Sequence, residues 1–220
     1  MKKFSFGLVL VSVALCAMLL LCPAMGYAGT VTVTLVSVGG QSSGPDYIYP
    51  YNFSFNGSTE LTPLMCISYE NTIYFGEHWQ ATLVPVTGSG NVQYIEAAYI
   101  FSLAAAPGAS ATTIAEAQWA NWELFDPNDS TLLGNVPSEY QVDIATLLVT
   151  AADYAQMNVN TAQYPKIDIF IPIAGTQSTG GLPQYFVGDP EETPEPSSLI
   201  LLGTGLLGLA AFWFRRRCFA

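Results

Sequence analysis

Positive charge is scarce in this sequence. Only six Lys and Arg stand against 17 Asp and Glu, for a net charge of −11. Five of the six lie at the chain ends: Lys2, Lys3, Arg215, Arg216 and Arg217. Between Gly29 and Thr193 there is one, Lys166, and every carboxylate except Glu195, so 16 acids against one Lys leave that segment at −15. Such a surface repels phosphates and anionic headgroups, which excludes nucleic acid as a partner and disfavours anionic lipid. Histidine is limited to His78. One imidazole and one central thiol cannot supply a His/Cys metal cluster, so neither a metal nor another cofactor is expected. No internal repeat is present, and no general acid–base pair stands out from the scattered carboxylates, so an enzyme is not expected.

Cysteine is nearly as sparse. Of four, Cys16 and Cys22 lie near the N-terminus and Cys218 near the C-terminus, leaving Cys66 alone in the central segment. An internal disulfide there is excluded for want of a partner.

The apolar residues concentrate at both ends. Met1-Lys2-Lys3 is a short positive region, Phe4 to Leu21 is apolar, and Gly26 and Ala28 are small residues at the −3 and −1 positions of a signal-peptidase site. Residues 1–28 therefore read as a secretory signal peptide cleaved after Ala28, with an uncleaved anchor as the alternative. Leu21 before Cys22 argues against a lipoprotein signal. At the other end, Pro190, Pro194 and Pro196 mark an extended linker over 190–198, since proline resists helix and favours open backbone. The uncharged run 199–214 follows, and then the basic tail 215–220. Sixteen residues span about 24 Å at ~1.5 Å each, short of a ~30 Å bilayer core but able to insert if lipid thins or arginines snorkel. Arg215, Arg216 and Arg217 act as a membrane stop and hold that end in the cytoplasm.

The set Pro194-Glu195-Pro196, Ser197-Ser198, the run LILLGTGLLGLAAFWF and three arginines resembles the PEP-CTERM sorting signal of Gram-negative bacteria that make exopolysaccharide. The resemblance implies recognition by an exosortase, a membrane protease-transpeptidase that removes the tail at the triplet. It also implies an inner-membrane intermediate followed by delivery to the cell surface or extracellular matrix of a biofilm. An ordinary single-pass anchor with a proline-bearing stalk is the competing reading.

The exported segment, residues 29–189, is large enough for its own core. Alternation predicts strands at Val31–Val38, at Tyr51–Gly57 ending in an Asn-Gly turn, and in LMCISYE and WQATLVPV. The period then changes. A helix is predicted from Val92 to Ala106, stopped by Pro107-Gly108. A second opens on a Thr113/Glu116 capping box and ends near Asp126-Pro127, and a third runs from Ser138/Gln141 to about Met157. Strands return at Lys166–Ile173 and Gln184–Asp189. The class is α+β: a β-rich sandwich or barrel with a three-helix insertion, plus the signal peptide and a single C-terminal transmembrane helix.

Two catalytic or metal motifs fail on context. GQSSG fits G-x-S-x-G with Ser42 as nucleophile, but PDYIYPY follows it where a helix is required. Asp126 to Ser130 follows the first positions of a calcium loop, yet Thr131 and Pro137 stand where Gly and Glu are needed, so a solvated turn is expected. The Asn-x-Ser sites at Asn52, Asn56 and Asn128 carry no weight in a bacterium.

Cys66 and Gln118 form the remaining candidate site. Ile114, Gln118, Trp122 and Phe125 lie along one face of the second predicted helix, and that face is otherwise apolar. Gln118 therefore points into the core, where its amide needs partners, a backbone group of a neighbouring strand being the simplest. Met65-Cys66-Ile67-Ser68 and Ala117-Gln118-Trp119-Ala120-Asn121-Trp122 resemble the paired motifs of bacterial thioester adhesin domains. Cys66, Gln118, Ala120 and Trp122 match; Met65, Ser68, Ala117 and Asn121 depart. The resemblance implies a thioester between Cys66 and Gln118, lined by Trp119 and Trp122, or a mere contact on the same scaffold. The expected function is a non-enzymatic surface or matrix protein whose partners are signal peptidase, an exosortase-type protease, and an exopolysaccharide or another surface. The alternative is a covalent adhesin.

Overall fold

The structure, a computed structural model, describes residues 29–161, 163–179 and 182–190. The expected signal peptide, the triplet Pro194-Glu195-Pro196, the apolar run and Arg215–Arg217 lie outside the described residues. Among the described residues, no helix is long and apolar enough to cross a membrane.

The strands are β1 (Thr30–Val38), β2 (Ser42–Ser43), β3 (Asp46–Tyr47), β4 (Tyr51–Phe55), β5 (Thr62–Cys66), β6 (His78–Pro85), β7 (Asp168–Pro172) and β8 (Phe186–Gly188). Six of them close into an antiparallel barrel in the order β1-β4-β5-β8-β7-β6. The sandwich-or-barrel alternative thus resolves to a barrel.

Alternation drives the closure. β1 buries Val31, Val33 and Leu35 between less buried threonines, and β6 buries Trp79, Ala81 and Leu83. Val33 pairs with Phe55 on one side and Trp79 on the other, which aligns these inward residues in one layer. Large rings fill the small interior. Phe53 meets Phe186 at 4.7 Å and Trp79 at 5.7 Å, both edge-on, and Phe55 stacks on Phe170 at 5.4 Å. β5 departs from alternation: Leu64, Met65 and Cys66 are all buried. Its second face is covered by helix, so both faces are shielded from water.

Four helices, one more than expected, lie between β6 and β7: α1 (Val92–Ala104), α2 (Ala111–Phe125), α3 (Ser130–Asn135) and α4 (Gln141–Asn158). α1 is the central one, packed on α2, α4 and β8. Ala97, Ala98 and Ala104 are buried beside Ile95, Ile100 and Phe101, and these small residues let its neighbours approach closely.

The helix starts depart from the sequence reading. Ser110, not Thr113, caps α2: its side chain accepts from the Thr113 N–H at 3.0 Å, so the capping position lies three residues upstream. α4 follows Tyr140 without any side-chain cap, so the expected Ser138/Gln141 box does not form. The stretch expected as a plain turn holds the cap of α3 instead. Asp129 Oδ1 accepts from the N–H groups of Thr131 and Leu132.

The barrel has two unlike ends. At one, the Leu83 N–H donates to the Gly29 carbonyl, and Asp168 pairs with both Pro85 and Gly188. Both terminal segments leave here, and the helical insertion begins and finishes here. At the other end lie the loops that follow β1, β5 and β7. The β2–β3 ribbon belongs to the first of these, with Gly44 at φ 62° turning Ser43 toward Asp46. Ser42 therefore sits on a strand–turn–strand.

A buried Cys66–Gln118 contact

Helix periodicity brings Gln118 inward, and its side chain is fully buried. Ile114 and Trp122 of the same stripe are buried with it. The amide spends its atoms on two backbone groups. Its Nε2 donates to the Cys66 carbonyl at 2.6 Å, and its Oε1 accepts from the Tyr49 N–H at 3.1 Å. Cys66 ends β5 and Tyr49 precedes β4. Gln118 thus ties α2 to the barrel end where two neighbouring strands lose their ladder partners.

The Cys66 sulfur makes different contacts. It donates to the Ser68 carbonyl at 3.1 Å and accepts from the indole Nε1–H of Trp122 at 3.4 Å. Cys66 pairs with Phe186 across β5 and β8, at the loop end of the barrel. Burial pushes this thiol up to about 12. The Trp122 hydrogen bond offsets part of that rise, while the carboxylates of Asp126 and Asp46 add to it. Near neutral pH the group is a thiol, and only a thiolate is a strong nucleophile. His78 stands exposed at the start of β6 and is not among the partners of the sulfur.

Trp119 is fully buried and does not touch the sulfur through its N–H, which donates to Ser43 Oγ at 2.8 Å. Trp119 and Trp122 meet edge-on at 5.0 Å, and Tyr69 packs on both. Tyr69 is the clasp over this pair. Its N–H donates to Asp126 Oδ2 at 2.6 Å and its hydroxyl to Asp46 Oδ2 at 3.0 Å, while Asn135 Nδ2 donates to the hydroxyl oxygen at 2.9 Å. Sequence reasoning placed Asp126 in a solvated turn. It is the acceptor that joins the end of α2 to the loop after β5. Nothing in the local sequence marks Tyr69, Asp46 or Asn135 as partners, because they lie on the loop after β5, on β3 and at the end of α3.

Asn121 and Met65 were read only as departures from a motif. They meet here, Asn121 Nδ2 donating to Met65 Sδ at 2.9 Å, while the Asn121 Oδ1 is buried with no hydrogen-bond partner. Among the described residues, no group of three or more His, Cys, Asp or Glu is placed to hold a metal ion.

The arrangement locks the barrel end by satisfying buried backbone groups, with the Gln118 amide bonded to the backbone of Cys66 and of Tyr49 and the Cys66 sulfur bonded to Ser68 and Trp122. No curated protein and no solved structure matches the chain, so the likeness to thioester domains rests on its two short stretches alone. Residues 192–217 match the model of the PEP-CTERM protein-sorting motif, so this chain carries a C-terminal signal for membrane-associated export and exosortase processing.

Proposed function

We propose that the chain is a non-enzymatic protein of the cell surface or extracellular matrix of a Gram-negative bacterium, released from its signal peptide by signal peptidase and sorted by its C-terminal signal. The sorting motif at residues 192–217 carries this reading. The ectodomain adds support in its own way. Its one cysteine is buried as a neutral thiol, His78 is not among the partners of that sulfur, and Asp46, Asp126 and Asp129 are engaged in the clasp and a helix cap. The test is replacement of Pro194, Glu195 and Pro196 by Ala. The variant is expected to stay in the inner membrane with its tail attached. Normal processing and delivery would sink the reading.

One observation favours a second reading, a covalent adhesin. The Tyr49 N–H already donates to Gln118 Oε1, the oxygen on which negative charge would grow if the Cys66 sulfur attacked the side-chain carbonyl. In that step an S–C bond forms, the C–N bond breaks, and ammonia leaves with the thiol proton. The product is a thioester sealed beneath Trp122. Intact mass of protein never exposed to amines tests it. A mass one ammonia below the sequence mass, with methylamine adding at Gln118 and freeing the Cys66 thiol, supports the bond. A mass equal to the sequence mass removes it.

A further inference from the structure

We infer that the loop face at the far end of the barrel is a docking surface for an uncharged polysaccharide chain. The inference starts from where exposed rings lie. Tyr74 is 59 % exposed and Phe75 is 62 % exposed, on the loop after β5. Tyr47 stands exposed on the loop after β1, and Tyr185 on the loop after β7. All three loops belong to one end of the barrel, opposite the end where Gly29 and Asp189 leave. A domain held through its C-terminal segment therefore presents this face outward.

The backbone that carries Tyr74 and Phe75 is fastened in place. Gly76 N–H donates to the Leu35 carbonyl at 2.8 Å, and Leu35 N–H to the Glu77 carbonyl at 3.0 Å, which fastens the Tyr74–Phe75 turn to β1. Glu77 is buried, and its Oε2 accepts from the Tyr74 N–H at 3.0 Å. Its Oε1 accepts from Thr179 Oγ1, and Gln184 Nε2 donates to the Asn71 carbonyl, so the loops after β5 and β7 are laced together. A buried carboxylate thus braces the backbone under two solvent-facing rings, which the barrel core does not require. A loop braced in advance loses little backbone entropy when a partner lands on it.

Charge chooses the partner. The one Lys among the described residues, Lys166, lies just before β7 at the opposite end. The loop face holds Asp46 and Glu70 and no Lys or Arg, so an anionic polymer meets repulsion there. A second copy brings the same acidic, ring-bearing face and is disfavoured for the same reason. Amide and hydroxyl residues alternate with the rings: Gln41 and Ser42 before Tyr47, Asn71 and Thr72 before Tyr74. Flat apolar rings beside neutral hydrogen-bonding groups suit the C–H faces and hydroxyls of sugar rings.

The test is native gel electrophoresis of the full chain in mild detergent, with polysaccharides cast into the gel. The panel holds uncharged polymers (hydroxyethylcellulose, dextran, galactomannan), anionic alginate and cationic chitosan. At least one uncharged polymer is expected to retard the protein. Tyr74→Ala and Phe75→Ala are each expected to weaken that retardation about ten-fold, and Val149→Ala on α4 is expected to leave it unchanged. Near-UV circular dichroism of each variant checks that the fold is kept. No retardation by any uncharged polymer overturns the inference. So does retardation that survives the Tyr74/Phe75 double substitution, or retardation by chitosan alone. The assay uses purified protein, so a failure here leaves the sorting reading untouched, and a failure of sorting leaves this one standing.

Discussion

Replacing Gln118 by Leu asks what the buried amide contributes. Leu is close in volume and apolar, so the change keeps the packing and removes two hydrogen bonds. The groups left behind are the Cys66 carbonyl and the Tyr49 N–H, both in the interior. A buried backbone group stripped of its partner costs about 1–3 kcal/mol, so two cost about 2–6 kcal/mol. The added apolar contact of Leu returns a little of this, and a net loss of about 3 kcal/mol is the working value. For a domain of this size that lowers Tm by roughly 6–12 °C. Cys66→Ala is the control. It removes one sulfur and leaves the backbone bonds intact, which is worth about 1–2 kcal/mol. Urea unfolding followed by the fluorescence of Trp119 and Trp122 measures both, with an unchanged slope showing that the unfolded state is the same. A Gln118→Leu loss below about 1 kcal/mol would refute the accounting of buried backbone groups. Equal and large losses in both variants would instead indicate a covalent link, since closing a loop of about 50 residues is worth about 4 kcal/mol.

Four further outcomes are expected. The Cys66 thiol, pushed up to about 12 by burial, should be inert to Ellman's reagent at pH 8 in folded protein and react fully in denaturant. The unfolded thiol ionises at lower pH than the folded one, so the unfolded state sheds its proton first; stability should fall above about pH 9 and less steeply in Cys66→Ala, read by melts across that range. Burial and then the neighbouring Asp189 raise the Asp168 carboxyl to about 6. Its native form holds a proton that the unfolded form has lost, so its contribution to stability declines as pH rises from about 4 through 6, and Asp168→Asn should raise Tm at pH 7.5 and not at pH 3.5. Gly188→Ala would place a Cβ 2.5 Å from Leu64 Cδ2 and 3.3 Å from the Pro63 carbonyl, where β8 crosses β5. A loss of about 1–3 kcal/mol is expected in urea titration, and a neutral result would mean that Leu64 yields freely.

The features legible in the sequence are those written in neighbouring residues. Alternation in Val31–Val38 and in Trp79–Leu83 marked two strands and their inward faces, because one strand's pleat decides which side chains share a face. The sorting signal was legible for the same reason: triplet, apolar run and arginines act as one contiguous stretch. The helical period alone turned Gln118 inward. The partners of Gln118 were decided only by tertiary structure. They are a backbone carbonyl and a backbone N–H, groups that every residue but proline carries alike, so no residue type announces them. The closure of the barrel is likewise non-local. Met65 pairs with Val187 across the whole helical insertion, and nothing near either residue encodes that register. The Ser110 cap was missed because Thr113 and Glu116 offer an equally good local pattern, and only the packing of α2 against the barrel chooses where its first turn begins. Asp126 and Asp129 look alike in a polar stretch. One clasps Tyr69 and the other caps α3, because the chain path around the paired tryptophans brings each to a different set of N–H groups.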